Sequence, residues 1–167
     1  MRRMALVLTC LLLALPLMSS APSVAAGGHR TVTYKGHGVT VRLDSVKRLH
    51  ATSRDFRSFT RTRLVQLWKG SGTPPRCRSK ALVSVKRWRS DGWARIDNEG
   101  IFGRGPCGSG GNRAIWRRHR GHWREILGTQ ELYSCDDLYR YRVPFRIADP
   151  TCYNADQGTI DAYEPGL

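Results

Sequence analysis

After Met18 the chain has no apolar run long enough to cross a bilayer as a helix, which takes roughly 20 such residues. It has no Gly-x-Ser-x-Gly, no His-Glu-x-x-His and no metal-carboxylate pattern, so the signatures of the common hydrolases and metalloproteases are missing. No Cys-x-x-Cys occurs, and no histidine spacing completes a zinc site with the cysteines. These residues call for no cofactor and no metal. Negative charge is scarce: 13 Asp and Glu stand against 28 Lys and Arg, a formal charge of +15. Lysine is scarce too, with 5 residues against 23 arginines. The planar guanidinium fork suits phosphate and carboxylate oxygens, so this balance favours polyanions and acidic surfaces as partners.

What is present begins with a leader. Arg2-Arg3 precedes the apolar stretch Met4 to Met18, and Val24-Ala25-Ala26 supplies small residues for cleavage. Residues 1–26 therefore read as a secretion signal, with an uncleaved anchor as the alternative. Cys10 lies inside the apolar run and not at its end, which argues against lipid attachment. Residues 27–167 (167 − 26 = 141 residues) have the length of one domain with its own core, and keep a charge of +13 once Arg2 and Arg3 are gone. Four cysteines remain: Cys77, Cys107, Cys135 and Cys152. An even number in a secreted chain reads as two disulfides. Of the three connectivities we expect the sequential one, Cys77–Cys107 and Cys135–Cys152.

Ala81 to Gln130 organises the rest. It holds two runs rich in Val, Ile and Trp around a glycine-bearing turn, repeated at an offset of 30 residues (115 − 85 = 30), so that Val85 matches Ile115 and Trp93 matches Trp123. A repeated hairpin predicts an antiparallel meander of about four strands. Asp91-Gly92 predicts a two-residue type I′ turn pairing Ser90 with Trp93, Trp88 with Arg95 and Arg87 with Ile96. One face would then carry Val83, Val85, Ala94 and Ile96, and the other Ser84, Lys86, Trp88, Trp93 and Arg95, with Trp88 stacked on Arg95. The second turn, around His119 to His122, stays open, because a slip of one residue swaps the faces.

Elsewhere, Thr31 to Tyr34 and Val39 to Leu43 read as a small N-terminal hairpin. Ser53 to Lys69 is the best helix: Ser53 is a candidate cap, and Phe56, Phe59, Thr60, Leu64, Leu67 and Trp68 form one apolar stripe. Arg54, Arg57, Arg61 and Lys69 fall opposite. The face with Val83, Val85 and Ile96 is the surface for that stripe to cover. Gly100 to Gly111 is a glycine-rich connector that lacks the Lys-Ser/Thr of a phosphate-binding loop. Ser134 to Val143 predicts a short helix ended by Pro144, and Thr159 to Tyr163 a last strand. The expected fold class is therefore α+β: an amphipathic helix packed on an antiparallel meander, stapled by disulfides.

The densest charge is at Arg117, Arg118, Arg120 and Arg124, interleaved with His119, His122 and Trp123. Cations with aromatics suit a polyanion surface, since phosphates need charge and bases need stacking platforms. The competing reading is a solvated hairpin tip. An alternative is a small nuclease, with His119 and His122 as acid and base and Glu125 as partner carboxylate. Trp88, Trp93, Trp116 and Trp123 could form a sugar-stacking platform, or pack in the core.

From Arg117 to Pro144 the chain resembles the C-terminal part of small secreted actinobacterial proteins of unknown function. Their pattern of Gly-x-Trp, Gly-x-Gln, Cys-x-x-Leu, Val-Pro and a further cysteine falls here on Gly121, Trp123, Gly128, Gln130, Cys135, Leu138, Val143, Pro144 and Cys152. The resemblance covers roughly the last half of the chain. It implies secretion and disulfides, and no activity. Taken together, the residues predict a monomeric, secreted or extracellular protein, free or associated with the cell wall. Its expected ligand is an anionic polymer, either nucleic acid or an acidic wall or envelope polymer.

Overall fold

The β-branched and tryptophan-bearing runs form one antiparallel sheet, as their alternation requires. The computed structural model describes residues 28–165 apart from positions 71 and 109; the expected leader lies outside these. Strands β3 (Ala81–Arg89), β4 (Trp93–Ile101), β5 (Gly110–His119) and β6 (His122–Thr129) make the meander. The sheet has six strands instead of about four, because β1 (Thr31–Thr33) and β2 (Val39–Val41) join it.

These two strands are not the expected hairpin. Both pair antiparallel with β3, β1 along Arg87–Arg89 and β2 along Val83–Val85, so they are two halves of one edge strand. The chain loops out between them and returns at Gly38, whose φ is +88°. A Cβ there would lie 2.3 Å from the Val85 carbonyl oxygen, so the return to the same edge depends on glycine.

The turn of the first hairpin also differs from expectation. Arg89 pairs with Trp93, Trp88 with Ala94 and Arg87 with Arg95, so the loop is Ser90–Asp91–Gly92. The Gly92 N–H donates to the Arg89 carbonyl at 3.1 Å, and Gly92 takes φ +97°, as in three-residue loops that close on a left-handed glycine. Lys86 is the extra residue of a bulge between Val85 and Arg87. It resets the alternation and brings Trp88 onto the face of Val85 and Ile96. The expected Trp88–Arg95 stack is therefore absent. The two-residue turn occurs in the second hairpin, where His119 pairs with His122 across Arg120 (φ +48°) and Gly121 (φ +84°).

Helix α1 (Arg54–Gly70) covers one face of the sheet. The Phe56 N–H donates to the Ser53 hydroxyl, which supplies the expected cap. Phe56, Thr60 and Leu64 are fully buried, with Phe59, Leu67 and Trp68 packed beside them. Phe56 is the centre of this layer: its ring lies 4.9 Å from Trp123, 5.8 Å from Trp116 and 6.4 Å from Trp88. The other face is covered by the C-terminal segment, where Tyr133, Leu138, Val143, Ile147 and Tyr163 pack on Trp93 and Ile115. There α2 (Cys135–Arg140) stops three residues short of the expected end, because Arg142 turns left-handed (φ +50°) and the Val143 N–H returns to the Leu138 carbonyl. Strands β7 (Thr151–Asn154) and β8 (Thr159–Ala162) pair with each other in a separate ribbon. No helix among the described residues is long and apolar enough to cross a membrane.

Both disulfides take the sequential pairing, Cys77–Cys107 and Cys135–Cys152. The first joins the 3-10 turn before β3 to the connector after β4. The second ties α2 to β7.

Two stability outcomes follow. Phe56→Ala should cost about 3–5 kcal/mol in a denaturant titration, since it empties the space among three tryptophans; a loss below ~1 kcal/mol would show the layer repacks freely. Replacing either cysteine pair by serine should cost roughly 3–4 kcal/mol, slightly more for Cys77–Cys107 because its separation is 30 residues against 17. The reverse ranking in the same titration would contradict the loop-closure account.

Candidate functional site

The cross-strand register assembles the candidate surface. Thr31 pairs with Arg89, Arg89 with Trp93, Trp93 with Arg117 and Arg117 with Arg124. Directly opposed residues share a face, so these five side chains form one row across the sheet. The row lies on the face opposite α1, near the end left open by the C-terminal layer. His119 and His122 extend it to the hairpin tip, and both are exposed. The Arg117 guanidinium lies 4.7 Å above the Trp93 ring, which orients it without neutralising it.

The arginines of the row differ in one respect. Arg89 is spoken for: its Nε and terminal nitrogen bond both oxygens of Asp91 at 3.1 and 2.6 Å. Arg117, Arg120 and Arg124 have no acidic partner among the described residues. Beside the row, Thr31, Thr33, Arg87, Phe145 and Arg146 line an open cleft of about 530 Å³. Arg87 donates to the Arg146 carbonyl at 2.6 Å, and Phe145 is half exposed. No carboxylate lines this cleft. Sequence reading missed it, since it joins an edge strand to the segment after Pro144; the only local signal was a large apolar residue beside Arg146.

Two of the residues singled out in the sequence leave this surface. Trp123 is buried on the α1 face against Phe56, and its indole N–H donates to Asp55 at 2.9 Å. Arg118 bonds the same Asp55 oxygen at 3.2 Å. Burial opposes ionisation of Asp55, but hydrogen bonds from Ser53, Trp123, Arg118 and the Phe56 N–H outweigh it and hold its pKa below the usual value. Trp88, Trp93, Trp116 and Trp123 are all buried, at 7 % exposure or less, so none offers an open sugar-stacking face.

Glu125 is also elsewhere. It opposes Trp116 on the helix-covered face, where Arg63 of α1 reaches it and the fully buried Glu99. Arg63 grips Glu99 with two bonds, 3.2 Å from Nε and 2.6 Å from the terminal nitrogen, and the same terminal nitrogen contacts Glu125. Burial and then the Glu99 charge push the Glu125 pKa up to about 7, against the pull of Arg63. His119 and His122 stand on the other face, so the three groups of a nuclease do not converge. Sequence reading could place Arg63 on the inner half of α1 but had no local sign that two carboxylates waited there. Among the described residues no three His, Cys, Asp or Glu side chains gather closely enough to hold a metal.

No protein-family model, no curated protein and no solved structure matches this chain.

The Glu125 shift carries a pH signature. Its native pKa of about 7 lies above its ordinary 4.5, so between those values the native state holds more protons than the unfolded one. Stability from this group is complete below about pH 4.5 and declines as pH rises to about 7. Unfolding titrations across that window should show the decline, and Glu125→Gln should flatten it. An unchanged slope in the variant would mean that another group carries the dependence.

Proposed function

We propose that the protein is a non-enzymatic extracellular module that binds an anionic polymer along the hairpin face of its sheet. The observation that carries this reading is the unmatched charge of Arg117, Arg120 and Arg124. By contrast, Arg63 is paired with Glu99 and Glu125, Arg95 with Asp97 and Asp149, Arg113 with Asp149, and Arg118 with Asp55. The few acids of the chain neutralise these arginines, and at the hairpin end Asp91 is engaged by Arg89, which leaves Arg117, Arg120 and Arg124 without an acidic partner among the described residues.

The row offers cations on neighbouring strands, about 4.8 Å apart, a spacing that suits closely set phosphates or uronates. The adjoining cleft adds the Thr31 and Thr33 hydroxyls, two further guanidiniums and the half-exposed Phe145 ring. The secretion signal and the disulfides support an extracellular setting. The nuclease alternative loses its support from the placement of Glu125 on the opposite face.

Titration of the full-length mature protein with single-stranded poly(dT) and with polyphosphate tests the reading. Affinity should fall steeply with salt, by roughly 0.7–0.9 in log K per log salt for each phosphate contact. The triple variant R117S/R120S/R124S should lower that slope by about 2–3. Trp93 emission should change on binding in the parent protein, because Arg117 lies on its ring. Affinity for both polymers that is flat from low to high salt would end the proposal.

A further inference from the structure

The outer side of α1 carries a second anion-binding groove, and we propose that the protein uses it with the hairpin face to bridge two polymer chains. This rests on the polyanion reading above and adds cross-linking to it. Arg54, Arg57 and Arg61 recur at i, i+3 and i+7 and so share one side of the helix. Lys47, from the 3-10 turn Val46–Leu49, stands beside them, and with Ser58 these residues line a groove of about 410 Å³. Four of its lining residues are cationic and none is a carboxylate. Arg57 is held in place by donating to the carbonyls of Thr52 and His50, which fixes its guanidinium and leaves its charge unmatched. Lys47, Arg54 and Arg61 are exposed.

The contrast within α1 gives the groove its meaning. On the side of the helix that meets the sheet, Arg63 is matched by Glu99 and Glu125, and Asp55 is matched by Arg118. On the outer side no acid is present. The two cationic surfaces point away from each other, because α1 lies on one face of the sheet and the row of Trp93, Arg117 and Arg124 on the other. A helix with its side chains is about 10–12 Å across, so the surfaces are separated by at least that distance. One extended polymer does not touch both without wrapping an edge, whereas two polymers do so directly. Each molecule then acts as a divalent link.

The experiment mixes donor-labelled and acceptor-labelled poly(dT) with the full-length mature protein and follows energy transfer between strands. Transfer should rise with protein and fall again in excess, when each strand has its own molecules. The variant K47S/R54S/R61S should still bind a single labelled strand through the hairpin face and should lose the transfer. These side chains make no ion pair or hydrogen bond among the described residues, so their loss leaves the fold intact. K35S/K80S/R104S removes the same charge from exposed sites outside α1 and should keep the transfer. Equal loss in both variants would assign the effect to bulk neutralisation and overturn the proposal. Binding by the parent protein without any transfer would overturn it as well, by showing that one strand wraps the molecule. Absence of binding altogether would instead defeat the reading of the hairpin face on which it rests.

Discussion

Side chains on a strand alternate between faces, so one residue more or less in a turn decides which side of the sheet everything after it meets. In this protein the first hairpin closes through Ser90–Asp91–Gly92 and the second through Arg120–Gly121. The residues that follow the two turns therefore meet opposite sides of the sheet in the two halves of the repeat. Trp93 faces the C-terminal layer, while its counterpart Trp123 faces α1. The bulge at Lys86 makes the complementary adjustment in β3 and turns Trp88 toward the helix. These local shifts place three tryptophans around Phe56 and leave the fourth beneath Arg117.

The same alternation sorts the charges. Residues facing α1 lie in a dry layer, where an unmatched guanidinium or carboxylate would be costly. There Arg118 meets Asp55, and Arg63 meets Glu99 and Glu125, with Glu99 wholly withdrawn from water. Truncating one partner of such a cluster strands the others, which makes it a clamp between α1 and the sheet. With 13 acids in the whole sequence, drawing several of them inward leaves the outer surfaces cationic. The positive character of the hairpin end and of the outer helix is thus the counterpart of a neutralised interior.

Much of the architecture was legible in the residues. The 3.6-residue stripe of Phe56, Thr60 and Leu64 located α1 and its buried side, and the Val- and Trp-rich runs located β3 to β6. The spacing of four cysteines limited the pairings to three, and the sequential one is present. The arginine cluster was visible as composition. Its division was not: Arg117 and Arg124 face one way, Arg118 the other, and that depends on the turn between them.

What the sequence determined by itself was the main helix with its apolar side, the strands of the meander and the sign of the charge, because periodicity and net charge are properties of the chain; strand β7 had no such signal. The tertiary structure decided which face each tryptophan and arginine joined, that β1 and β2 lie end to end along β3, and that Glu99 and Glu125 meet on Arg63. Those outcomes turn on bulges, loop lengths and contacts between residues 36 and 62 positions apart, which no local pattern encodes.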